Sequence, residues 1–159
     1  MRTAALALAL VLLTAIGTLA GRLDTVNPPY GERLEDLEYA KQFEPINEKG
    51  GVAYYRYTGP RDANPLYEIA SSDVVYGFVE GRLYTCIYRN RDVPRDKVME
   101  LIRSTYGMTP KHTYNEGDWS VFVWYSPDEK TDFKLKFNNR TTEMKAAFYY
   151  RPLREKLPR

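Results

Sequence analysis

Val74-Val75-Tyr76-Gly77-Phe78-Val79, Glu80-Gly81, Arg82-Leu83-Tyr84-Thr85-Cys86-Ile87-Tyr88 is the stretch that decides the fold. Two runs rich in β-branched and aromatic residues flank a Glu-Gly pair, the composition of a two-residue hairpin loop. Counting outward from that loop pairs Phe78 with Leu83, Tyr76 with Thr85 and Val74 with Ile87 on one face. Val75 then faces Cys86, and Gly77 faces Tyr84, where an aromatic ring covers bare glycine backbone. Both faces are rich in apolar residues, so the hairpin belongs near the centre of a sheet.

Upstream, Gly50-Gly51 opens a strand over Val52 to Thr58. The turn-rich loop Gly59 to Pro65 separates it from a short strand over Leu66 to Ala70. Leu34, Leu37, Ala40 and Phe43 recur at three-residue steps, with acidic residues early, so a helix is expected over Gly31 to Phe43, closed by Pro45. Downstream, Asp92-Val93-Pro94 starts a second helix, with Asp92 as cap and Pro94 in the first turn. Val98, Leu101, Ile102, Thr105 and Tyr106 form its apolar stripe, and Gly107 and Pro110 end it. Three further strands follow. Trp119 to Tyr125 is an apolar run. Phe133, Leu135 and Phe137 alternate with Lys134 and Lys136, which coat an outer face. Glu143 to Tyr150 puts Met144, Ala146, Phe148 and Tyr150 on one face.

Strands joined by short links pair antiparallel, and helices pack against such a sheet. The class predicted is α+β: a two-layer domain with a mainly antiparallel sheet of about six to seven strands and two helices on one side of it. It spans residues 31–151, after an extended lead at 21–30 containing Pro28-Pro29 and before a basic tail at 152–159. No internal repeat is visible.

Residues 1–20 read as a signal peptide. Arg2 gives a charged front, Ala4 to Ile16 is apolar except for Thr14, and Thr18 and Ala20 are small residues where a signal peptidase reads. The expectation is an exported chain, periplasmic or secreted; the alternative is anchoring by an uncleaved segment. Removal after Ala20 leaves about 140 residues, enough for one core without staples. No later stretch could span a bilayer. Cys86 is the one cysteine, so packing rather than an internal disulfide holds the chain. The formal net charge is +2, and one of those charges leaves with Arg2. That balance argues against nucleic-acid binding.

Motifs for catalysis and metal binding are weak. Cys86 and His112 are the sole thiol–imidazole pair, but a mid-strand cysteine is normally a packed one. Asp128, Glu129 and Asp132 form one carboxylate cluster, and Glu116 with Asp118 another; both read as turn acids, since a calcium loop needs more oxygen ligands. Glu68, Asp73 and Glu116 are candidates for paired-carboxylate chemistry only by elimination. No phosphate loop or nucleophile elbow is present. The reading is therefore no catalytic residue, no metal site and no cofactor. Asn139-Arg140-Thr141 is a glycosylation triplet in a hairpin turn. Arg151, Arg154, Lys156 and Arg159 at the C-terminal end, with Lys134 and Lys136, make a candidate basic strip for anionic lipid or glycan, or simply an edge that resists aggregation.

Tyrosine is the unusual residue, with 14 in 159. It packs by its ring and keeps a polar tip, so it suits a sheet face that is only half covered. Tyr54, Tyr55, Tyr57, Tyr84, Tyr88, Trp119, Trp124 and Tyr149, with Tyr150 beside them, are the candidate binding residues. The leading expectation is a non-enzymatic module that binds an envelope protein partner through a sheet face or edge. The alternatives are a small-molecule or glycan carrier with a tyrosine-lined pocket, and an enzyme of unrecognised type.

Overall fold

The computed structural model describes residues 28–60, 73–106, 109–126 and 130–158. Eight strands form one antiparallel sheet: β1 (Phe43–Lys49), β2 (Val52–Tyr57), β3 (Asp73–Val79), β4 (Arg82–Asn90), β5 (His112–Glu116), β6 (Trp119–Tyr125), β7 (Thr131–Asn138) and β8 (Met144–Tyr150). Helix α1 (Arg95–Tyr106) links the two halves, and a helical turn, α2 (Arg151–Arg154), follows the last strand. The strand order is β1-β2-β3-β4-β8-β7-β6-β5. Two four-stranded meanders thus meet where β4 pairs with β8, and the hairpin of β3 and β4 is central.

The α+β class stands, with eight strands rather than six to seven. β1 and β5 were not expected. β1 occupies the stretch where Pro45 seemed to close a helix. Pro45 lies instead on an edge strand, where its missing N–H is tolerated, and a bulge follows it between Pro45 and Asn47. Gly50 and Gly51, both at positive φ, open β2 at Val52 as expected, and they do so as the turn that joins it to β1. All five residues of β5 are exposed, so no hydrophobic alternation marks it. The expected strand at 66–70, the signal segment, Gly107, Asp128 and Glu129 lie outside the described residues.

In place of a helix over Gly31 to Phe43 stand two 3-10 turns, Leu34–Asp36 and Ala40–Gln42. The three-residue spacing that suggested a helix is the period of the tighter 3-10 form. Leu34 and Leu37 pack against the core, and Phe43 enters it at the start of β1. α1 buries Val98 and Ile102 as its stripe requires. Asp92 does not cap it; its carboxylate accepts from Thr142 Oγ1 at 2.8 Å, and Asp92 itself has φ 75°.

The hairpin register holds only next to the turn. Phe78 faces Leu83, and Glu80 and Gly81 have the positive φ that such a loop needs. A bulge then inserts Tyr84, so Gly77 faces Thr85, Tyr76 faces Cys86, Val75 faces Ile87 and Val74 faces Tyr88. A residue added to one strand shifts every pairing beyond it by one position.

Alternation sorts the sheet into two faces. On the helix face Tyr76, Phe78, Leu83, Cys86, Tyr88, Leu135, Met144 and Ala146 are 0–1% exposed and pack with Val98 and Ile102. On the second face Leu153 of α2 packs with Val52, Val79 and Tyr84. The two helical elements therefore lie on opposite faces, not on one side. Tyr150 leaves the Met144, Ala146, Phe148 row and packs against the second-face cluster, and its ring stacks at 6.1 Å on Tyr30, which packs against the helix-face core. Among the described residues, no helix is long and apolar enough to cross a membrane.

Candidate functional site

The second face is built from the strand positions that point away from α1. β2 contributes Val52, Tyr54 and Arg56; β4 contributes Ile87 and Arg89; β8 contributes Lys145, Ala147 and Tyr149. Gly77 of β3 lies beneath them. A Cβ at Gly77 would stand 2.6 Å from Thr85 Cγ2, 2.8 Å from Val52 Cγ1 and 3.2 Å from Tyr54 Cε1. The missing side chain lets Tyr54 lie close against the backbone. Tyr84, expected over this glycine, is the bulge residue beside it.

These residues line a trough of about 830 Å³, with Tyr54, Tyr84 and Tyr149 from three different strands and Val52, Val75, Ile87 and Leu157 as apolar lining. A second depression of about 350 Å³ shares Ile87, Arg89 and Tyr149 with it, and adds Trp119, Ala147, Glu116, Lys134, Lys136 and Lys145. The two therefore adjoin. A third, of about 590 Å³, adjoins through Lys134 and includes His112, Tyr125, Asp132 and Arg154.

The charges on this face are mostly positive. In strand register Lys136 faces Lys145, and Lys145 faces Arg89, a row of three cations across β7, β8 and β4. Lys136 donates to Glu116 Oε2 at 2.7 Å, and that contact holds the Glu116 carboxyl below the usual range. Lys145 lies 3.7 Å from Glu143 and 4.7 Å from the centre of the Trp119 ring. Lys134 sits 5.8 Å from the Tyr149 ring centre. Burial, then the positive charges of Arg154 and Lys136, lowers the Lys134 pKa. Burial also raises Tyr54 and Tyr84, and pushes Tyr149 up to about 12, with Tyr84 and Tyr54 adding to it. These three hydroxyls stay protonated and can donate.

The candidate aromatics divide between the faces. Tyr54, Tyr84 and Tyr149 converge on the large trough, and Trp119 lies in the adjoining depression. Tyr55, Tyr57, Tyr88 and Trp124 belong to the helix-face core. The Tyr57 hydroxyl is 2.7 Å from Gln42 Oε1 and 2.9 Å from the Pro60 carbonyl. Sequence reading found Lys134 and Lys136 but missed Arg56, Arg89 and Lys145. The signal was available: each sits two residues from another member of the same face.

Cys86 and His112 are kept apart. Cys86 is buried on the helix face at β4, while His112 begins the exposed edge strand β5 and packs on Tyr125 at 5.7 Å. Four strand spacings separate β4 from β5, roughly 19 Å. Asp132 is not a solvated turn acid; it is 4% exposed and bonded to Arg151 and Arg154 at 2.5 and 3.2 Å. Arg154 of the tail therefore anchors α2 to the sheet. Asp118 pairs with Arg140 at 2.9 Å. Among the described residues no group of three or more His, Cys, Asp or Glu could hold a metal ion. Comparison with protein-family models, with curated proteins and with solved structures found no match.

Proposed function

We propose that this chain is an exported binding protein that holds a small ligand in the trough on the second face of its sheet. The observation that carries the reading is the convergence of Tyr54, Tyr84 and Tyr149 on one space of about 830 Å³. Ligand sites commonly enclose roughly 300–1,000 Å³ and combine apolar walls with a few polar groups. Tyrosine supplies both at once, a rigid ring and a donor. Native mass spectrometry of the protein recovered from its own cells tests it. A retained small molecule of constant mass, absent from Tyr54→Ala/Tyr149→Ala, supports the reading. Protein that carries no such mass but captures a stoichiometric protein partner overturns it.

That outcome would favour the second reading, an envelope protein docked on the sheet edge. Every residue of β5 is exposed and Tyr114 is 42% exposed. An edge strand offers a row of backbone donors and acceptors to an incoming strand. Cross-linking through a photoreactive group at position 114 would separate an edge partner from a face ligand.

A further inference from the structure

We infer that the ligand of the second face is an anionic amphiphile, its acidic head among Lys134, Lys136 and Lys145 and its apolar body along Tyr54, Ile87 and Tyr149. The inference rests on the trough being a ligand site, and it deepens that reading by naming the ligand's chemistry. Three observations point the same way. The large trough and the smaller depression share Ile87, Arg89 and Tyr149, so they adjoin along these three side chains. The two ends differ in degree: the first sets Ile46, Val52, Val75 and Leu157 among Lys49, Arg56 and Arg89, while the second has four cations, a single carboxylate, Glu116, and less aliphatic lining, Ile87 and Ala147. The cations are also forced together by register, with Lys136 directly facing Lys145 and Lys145 facing Arg89.

Like charges placed directly opposite on neighbouring strands repel. The acids near this row offset it only in part: Glu116 bonds Lys136 and Glu143 stands 3.7 Å from Lys145, while Lys134, 5.8 Å from the Tyr149 ring centre, feels Asp132 and Glu116 less than it feels burial and the charges of Arg154 and Lys136. Lys134 is also the cation that burial and its neighbours most disfavour, as the lowered pKa records. An acidic head would add a shared acceptor, reached by several of these ammoniums at once through charge-assisted hydrogen bonds. The depression of about 350 Å³ suits a single head of phosphate, sulfate or carboxylate type rather than a polymer. The lysine stems add apolar surface beside the floor residue Ala147.

Titration calorimetry on the full chain tests this with dodecyl phosphate, dodecyl maltoside and inorganic phosphate, the amphiphiles kept below micelle formation. One-to-one binding of dodecyl phosphate is expected, at least about tenfold tighter than the maltoside or phosphate alone. Lys134→Gln/Lys145→Gln should weaken dodecyl phosphate about tenfold and leave the maltoside unchanged. Lys97→Gln on the exposed side of α1 should change neither, and unaltered melting of the double variant shows that the fold survives. Equal affinity for both amphiphiles would sink the anionic head while leaving the trough as a ligand site. Equal affinity for phosphate alone would sink the apolar body. Binding to phosphatidylglycerol vesicles without binding the monomeric amphiphile would also overturn the proposal, because the headgroup source would then be a membrane. If neither amphiphile binds, the inference fails, and the trough itself stands or falls by the mass retained in native mass spectrometry.

Discussion

All six phenylalanines of the chain pack on the helix face, whereas the second face is walled by tyrosine, tryptophan, lysine and arginine. The rings of the helix face meet one another closely: Phe133 lies 4.5 Å from Phe148, Trp124 5.1 Å from Phe133 and Phe43 5.4 Å from Phe78. Phenylalanine has no polar tip and gains only from dry contact, so it belongs where α1 excludes water. Tyrosine keeps a hydroxyl to present and can wall a space that water or a ligand enters. The same strands serve both purposes because successive side chains point to opposite faces. The helix face is therefore a dry core, while the second face combines a smaller cluster of Val52, Val79, Tyr84 and Leu153 with polar tips and charges, and substitutions on the two should differ in size and sign.

The largest expected effect is on the helix face. Trp124 is 1% exposed, and Trp124→Ala should lower the unfolding free energy by about 3–5 kcal/mol in urea titration. A loss of under about 1 kcal/mol would break the contrast by showing that this core is not tightly packed. Next comes Gly77→Val on the second face, expected to destabilise by about 3 kcal/mol, the upper part of the overpacking range. Two atoms already stand within 3.0 Å of the missing Cβ, Thr85 Cγ2 and Val52 Cγ1. The bulk falls against these and Tyr54, not beneath Tyr84, so Thr85→Ser should restore part of the loss while Tyr84→Leu should not.

The third test uses pH. Tyr149 is raised above the ordinary phenol value of 10.0 to about 12 in the folded protein. The unfolded chain therefore releases its proton first. The stability linked to this group is fully present below pH 10 and is lost as pH rises toward 12. Two pKa units correspond to about 2.7 kcal/mol, and partial exposure of the ring reduces this to about 2. Tyr149→Phe should flatten the decline of unfolding free energy between pH 10 and 12 relative to the native sequence. Parallel alkaline curves for the two proteins would mean that the Tyr149 hydroxyl is not withdrawn from water.

The sheet centre was legible because its residues declare both period and turn. Phe133-Lys134-Leu135-Lys136-Phe137 alternates, Glu80-Gly81 turns, and Val98 and Ile102 repeat as a helix does. The edges were not legible. β5 runs His112-Thr113-Tyr114-Asn115-Glu116, with no apolar face because only one neighbour, β6, covers it. β1 contains a proline that reads as a stop signal unless its place at the sheet edge is known. The bulge at Tyr84 was likewise invisible, since nothing in the local composition distinguishes it from a regular strand residue, and it altered every pairing beyond Leu83. The candidate aromatics were half separated for a related reason. Tyr54 and Tyr55 differ by one position and thus by a whole face, and only knowledge of which face α1 covers tells the wall of a trough from a core residue.

The smallest expected effect sharpens the comparison most, because it has the opposite sign. Lys134 is half-buried beside Arg154 and Lys136, and its pKa is lowered from the usual lysine value. Near neutral pH the charged form is thus less favourable in the folded protein than in the unfolded chain. Its contribution improves as pH rises through the lowered pKa, where the folded form releases its proton first, until the unfolded chain releases its own. Lys134→Met keeps the stem and removes the charge, so it should leave stability unchanged or raise it by a few tenths of a kcal/mol at neutral pH. On the helix face a comparable truncation removes closely packed apolar surface and is a loss. A residue whose replacement raises stability is not what holds the fold at that position. If Lys134→Met destabilised by about 1 kcal/mol or more, the lysine would be a structural cover for the sheet, and the division of labour between the two faces would be lost at its most diagnostic position.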